Sequence, residues 1–216
     1  MNKFRFNVRL FAVLTSACLV SPLSLLRAQA PTTTDSSPTP AAPGTVLYKE
    51  DFNKSNNPNG WYVFGGGKGF TYRGDVVAYA GPDSSNAYVI TCTSDNTEGG
   101  WYGGIARNGI FPPNTPTTPE HLVVNITLFV RGARNGLVTL RFVQGDSAKP
   151  SWATSWKIPI TQDPKAFSFV FSEGKQTGTF DPQARTHLHP ISFGQGNFGK
   201  QEDLQIIVDD VSIVVR

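Results

Sequence analysis

The chain has 216 residues, with 19 Lys and Arg against 16 Asp and Glu and a formal net charge of +3. Charged residues make up only 16% of it and aromatics 12%, alongside 21 Gly and 16 Pro; soluble domains usually carry about 25% charged residues. This composition excludes a helical bundle or coiled coil, and the length suits one domain whose core needs no disulfide staples.

In chain order, positive charge comes first. Lys3, Arg5 and Arg9 precede an apolar stretch from Leu10 to Leu26, broken by Pro22, that ends at Arg27-Ala28-Gln29-Ala30. A basic start, an apolar middle and an A-x-A end predict a secretory signal over residues 1–30, too interrupted to be a membrane anchor. A lipoprotein arrangement around Cys18 is disfavoured, because Thr15 stands where an aliphatic residue is needed. Cleavage after Ala30 takes four of the 19 cations and no acid, leaving 15 against 16 and a net charge of −1. No Lys/Arg cluster remains, so a nucleic-acid partner is excluded. The expectation is a secreted protein, extracellular or periplasmic, with no membrane contact after cleavage. Cys92 is then the lone cysteine, and its strand-like flanks, Tyr88-Val89-Ile90-Thr91, predict a buried, inert thiol.

Residues 31–44 are low in complexity and lack aromatics and large aliphatics. They predict a disordered Pro/Thr/Ser spacer that cannot support a core. The folded domain is expected over residues 45–216. Short apolar segments predict strands over 45–52, 61–64, 69–80, 87–93, 101–107, 121–131, 136–144, 153–160, 165–172, 188–193 and 204–215. Val124, Ile126, Leu128 and Val130 share one face, as do Val138, Leu140 and Phe142, and Phe167, Phe169 and Phe171. Asn57-Pro58-Asn59-Gly60, Gly81-Pro82-Asp83 and Arg134-Asn135-Gly136 supply turns. No segment of helical length has a 3.6-residue period. The fold expected is all-β, a single-domain antiparallel β-sandwich of jelly-roll type.

Catalytic patterns are sparse. A facing carboxyl pair, as glycoside hydrolysis uses, is not visible: neighbours in Glu50-Asp51 and Asp209-Asp210 point to opposite strand faces. Gly65-Gly66-Gly67-Lys68-Gly69 lacks phosphate-loop order and is read as a hairpin loop. His187 and His189 share a strand face, and with Arg141 they could form a lyase's proton-handling set on a uronate. No third metal ligand accompanies them.

The two ends of the domain carry a resemblance. It opens Leu47-Tyr48-Lys49-Glu50-Asp51-Phe52-Asn53 and reaches Gly60-Trp61; it closes Ile206-Ile207-Val208-Asp209-Asp210-Val211-Ser212-Ile213. This resembles the jelly-roll carbohydrate-binding modules of the family 4, 11 and 22 type, also called galactose-binding-like domains. The resemblance implies that first and last strands come together and that a structural Ca²⁺ sits between them. Carried over, its ligands would be Glu50, Asp51 and Asp209, although Asn53 stands where those modules usually have Glu. It also implies a non-catalytic, monomeric module whose partner is a carbohydrate polymer. Sugars would stack on Trp101 or Tyr102, of which parity lets only one face outward, and on Trp152. Thr139, Arg141 and Gln144 would bond hydroxyls, while Trp61 and Trp156 belong to the core. Low overall charge suits a neutral polymer. The alternatives are a polysaccharide lyase or glycoside hydrolase on the same sandwich, and a structural or adhesion domain without a sugar site.

Overall fold

The computed structural model describes residues 40–54, 60–94, 100–198 and 203–216. The expected signal, Cys18, the spacer up to residue 39, the turn at 57–59 and Gly99 lie outside them. Everything described belongs to one compact unit within Ser37–Arg216. Its elements are almost all strands, as the short apolar runs predict: β1 (Val46–Glu50), β2 (Trp61–Gly66), β3 (Phe70–Val77), β4 (Ala87–Ser94), β5 (Tyr102–Phe111) and β6 (Leu122–Arg131), then β7 (Asn135–Gly145), β8 (Pro150–Thr161), β9 (Lys165–Val170), β10 (Lys175–Gly178), β11 (Thr186–Gly194) and β12 (Asp203–Val215).

They form two six-stranded sheets in which every pairing is antiparallel. The first runs β3-β4-β12-β6-β9, with β1 also paired to β12. The second runs β10-β8-β7-β11-β5-β2. This is the expected antiparallel β-sandwich, and its first and last strands do meet. Strand β12 lies against β4 through Val208 and against β1 from Val211 onward. Between these halves a bulge at Asp209-Asp210 shifts the register. Asp210 takes a positive φ of 49° there, a conformation Asp tolerates better than most residues. The bulge moves the inward set from Leu204, Ile206 and Val208 to Val211, Ile213 and Val215, all buried.

Alternation fills the space between the sheets. Inward residues of β6 (Leu122, Val124, Ile126, Leu128, Val130) meet those of β7 (Val138, Leu140, Phe142) in one continuous core. Burying each such side chain stabilises the fold by about 1.5–3 kcal/mol. Near β1, Phe52, Trp61 and Tyr88 form an aromatic cluster with centroids 5.4–5.8 Å apart, and Trp61 Nε1 donates to the Tyr48 hydroxyl at 3.0 Å. Trp61 is thus a core residue, as expected. Cys92 is buried and its thiol is pushed up to about 12 by desolvation, which leaves it without the thiolate that reactivity requires.

Two local expectations change. The Gly65–Gly69 run closes no hairpin, because it carries the chain from β2 in one sheet to β3 in the other. The end of the expected spacer is tied down: Ala41 N–H donates to Pro116 O at 3.0 Å and Gly44 N–H to Val215 O at 2.6 Å. Unpaired backbone groups at the end of the sandwich capture this apolar, proline-bounded segment.

Candidate functional site

The outer faces of the two sheets differ. On the first, the chain between β3 and β4 crosses over and buries Ala80, Ala87, Val89, Phe129 and Ile207 in a small second core. Arg131 completes it by donating to Ala80 O and lying over the Phe129 ring. The outer face of the second sheet instead presents aromatic and polar side chains.

One row crosses all six strands of that sheet. Tyr62 on β2 pairs with Ala106 on β5. Beside Ala106 is the bulge of β11, where His189 and Pro190 lie between the pairs Leu188–Phe142 and Ile191–Leu140 and so oppose Arg141 of β7. Arg141 pairs with Ser155 of β8, and Ser155 with Lys175 of β10. At about 4.8 Å per strand spacing the row spans about 24 Å, with aromatic rings at one end and cations at the other.

The aromatic end is held by small residues. His189 stacks on Phe64 with centroids 5.6 Å apart and 9° between planes, and its ring lies 6.4 Å from that of Tyr62. A side chain at Gly104 would meet the Phe64 ring at 2.4 Å, so this glycine lets the ring lie flat on β5. Gly66 does the same for Tyr102, whose ring would come within 3.0 Å of any Cβ there. Tyr102 is 57% exposed. Tyr62, Asn108, Val143, Gly145, Ser147, His187 and His189 line a polar cavity of about 150 Å³. Both histidines have pKa values lowered from 6.5, chiefly by desolvation. His187 is also repelled by Arg185 and His189, and His189 by Arg141. They are therefore neutral at neutral pH, and His187 Nδ1 accepts the Gly109 N–H at 3.1 Å.

The expected sugar-binding residues divide between this face and the interior. Tyr102, Thr139 and Arg141 are on the outer face. Trp101 is 5% exposed and packs flat on Phe70 at 5.2 Å, so parity resolves the Trp101–Tyr102 pair in favour of Tyr102. Trp152 is 1% exposed. It belongs to strand β8, where it shares the inward parity of Trp156 and Ile158, and it packs on Phe171 and Phe180. Gln144 is fully buried, bonding Asp181 O, Asp181 N–H and Thr186 Oγ1, so it fastens the connection into β11. These three residues are removed from any surface site. Tyr62, Phe64, Ser155, Lys157 and Lys175 escaped the sequence reading. Tyr62 and Phe64 carried the available signal, since Trp61 as a core residue places both neighbours' alternates on the opposite face.

The expected calcium ligands are occupied locally. Glu50 Oε1 accepts the Phe52 N–H and Asp51 Oδ1 the Asn53 N–H. Asp209, 1% exposed, accepts the Ser85 hydroxyl at 2.7 Å and the Asp210 N–H at 2.8 Å. Among the described residues no group of three His, Cys, Asp or Glu side chains could hold a metal ion. Desolvation raises the Asp209 pKa, and Asp210 and Asp51 add to it.

No family model matches the chain, and none of the curated proteins does. Solved structures do. A family 11 carbohydrate-binding module from Clostridium thermocellum, in complex with a β-1,3-1,4-mixed-linked tetrasaccharide, is 13% identical with a TM-score of 0.51, covering 81% of this chain and 97% of its own. A family 30 carbohydrate-binding module is 14% identical with a TM-score of 0.51, over 79% of this chain and 100% of its own. An exo-β-agarase is 11% identical with a TM-score of 0.52, over 79% of this chain and 24% of the agarase. The described residues therefore have the fold of the β-sandwich carbohydrate-binding modules.

Proposed function

We propose that the protein is a secreted carbohydrate-binding module, that it acts as a monomer, and that a glycan chain lies across the outer face of its second sheet. The observation that carries this reading is the transverse row from Tyr62 through His189 and Arg141 to Lys175. Aromatic rings offer flat apolar faces to pyranose rings, and hydroxyls of Thr139, Ser155 and Ser192 stand beside them on the same face. The fold it shares with carbohydrate-binding modules supports this reading, and one of those modules is itself seen with a tetrasaccharide. Export rests on the sequence of residues 1–30. No helix among the described residues is long and apolar enough to cross a membrane.

The test is retardation in native gels containing soluble polysaccharides, comparing the natural chain with Tyr62→Ala and Tyr102→Ala. Retardation by at least one polymer, reduced about tenfold or more in affinity by each variant, is the expected result. Retardation that both variants leave unchanged would move the site elsewhere.

A second reading is favoured by one arrangement: Tyr62, His187 and His189 line one cavity, and Arg141, which donates to Ser147 O on its wall, repels His189. In a lyase, Arg141 would neutralise a uronate carboxylate while a neutral histidine takes the proton beside it. The electron pair left behind would form a C=C bond as the neighbouring C–O bond breaks, and Tyr62 would protonate the departing oxygen. Release of unsaturated ends, followed by their ultraviolet absorbance, distinguishes this from binding alone.

A further inference from the structure

Building on the sugar-binding reading, we infer that the glycan taken by this face is anionic, its carboxylate or sulfate groups read by Arg141 with Lys157 and Lys175 beside it. Acids, not cations, are segregated between the two sheets. The strands of the first carry Glu50, Asp75, Asp203, Asp209 and Asp210, interspersed with Lys49, Arg73, Arg131 and Lys165. The six strands of the second contain no Asp or Glu at all, while holding Arg107, Arg141, Lys157 and Lys175. Arg107 turns away and lies over the Tyr48 ring at 4.8 Å. The other three cations share the outer face. Lys175 is separated from Arg141 by Ser155 alone, and Lys157 pairs with Thr139, two residues from Arg141.

No ion pair among the described residues includes any of these three cations. The ion pairs found there, Lys49–Asp51 and Arg73–Asp75, both lie in or beside the first sheet. Asp146, at the tip of the β7–β8 hairpin, spends its Oδ1 on the N–H groups of Ala148 and Lys149. Arg141 is half-buried, and one of its five N–H donors is used, toward Ser147 O at 3.3 Å. The remaining fork suits a planar or tetrahedral oxyanion. A neutral sugar needs acceptors as much as donors for its hydroxyls, and an acid-free face offers mainly donors. Three cations on one face, outside every ion pair of the described residues, create the local potential that a polyanion satisfies.

The experiment measures binding of the full chain, by calorimetry and native-gel retardation, to alginate (carboxylate), carrageenan (sulfate), agarose and mixed-linkage β-glucan (neutral), and polyglutamate (anionic, no sugar). Expected are binding to alginate or carrageenan at least about tenfold tighter than to either neutral polymer, weakening as salt screens the charges. Arg141→Gln should lower that affinity about tenfold or more, and Lys175→Gln by a smaller factor, with thermal unfolding of both unchanged. Equal or tighter binding to a neutral polymer, insensitive to Arg141→Gln, overturns the inference and leaves the sugar-binding reading standing. Binding to polyglutamate as tight as to alginate overturns it as well, since the face would then act as an ion exchanger. Retention by none of the polymers removes both.

Discussion

Arg141 and His189 lie on neighbouring strands, and the pH behaviour of the site follows first from burial of its histidines and then from the repulsion between these two. His189 is packed by Phe64 and Tyr62 from β2 and repelled by Arg141 from β7, while His187 meets Arg185 and His189. The Tyr62 phenol is raised by burial and stays neutral. Affinity for an anionic glycan should therefore hold level from about pH 8 to about pH 6.5 and climb below that, as the imidazoles gain charge. Stability runs the other way. A histidine whose folded pKa is depressed contributes stability above its unfolded value of 6.5, and that contribution is lost as pH falls through it. Calorimetric titrations and melts over this range check both directions, and His189→Gln should flatten each. Trp152 makes the opposite case. Trp152→Ala should cost about 3–5 kcal/mol of stability in urea unfolding and leave glycan affinity per folded molecule unchanged. Its burial was legible from parity with Trp156, Ile158 and Ile160, but an adjacent Lys149-Pro150-Ser151 made the segment resemble a loop. Proline is tolerated here because it is the first residue of the strand.

At the scale of elements, the closing strand shows what a sequence pattern can and cannot carry. Alternation on either side of Asp209-Asp210 belongs to two phases, and a one-residue bulge is the physical reason. Asp209 keeps the outward parity of Ile207 and is buried beneath the β3–β4 connection, where Ser85 and a backbone N–H satisfy it. Ser85→Ala would strip a buried acceptor of its donor and should cost about 1–3 kcal/mol, measured by urea unfolding. Calcium addition or chelation should leave the melting temperature unchanged. A rise of several degrees on adding Ca²⁺ would mean that Glu50, Asp51 and Asp209 rearrange around the ion. The pairing of β1 with β12 was legible from the end motifs. Their carboxylates' partners were not, because Ser85 reaches Asp209 from 124 residues away in the chain.

For the whole molecule, composition described an average that the fold then sorts. The net charge near zero expected after signal cleavage suited a neutral polymer, yet the sandwich keeps Asp and Glu off the strands of its second sheet, where Arg141, Lys157 and Lys175 share a face. Fold class could be read from short alternating segments because both sheets are antiparallel and each has one buried face. The binding face could not, since which strands become neighbours decides that Tyr62, His189, Arg141 and Lys175 form a row. These residues are scattered from position 62 to position 175 and onward to 189, with no local spacing to join them. The most direct test of the central claim is a titration of the isotope-labelled chain with a glycan fragment that it binds, followed by amide chemical shifts. The account predicts that the largest shifts fall on Tyr62, Tyr102, His189, Arg141 and Ser155. Shifts centred on Thr71, Thr91 and Asp203, across the outer face of the first sheet, would contradict it.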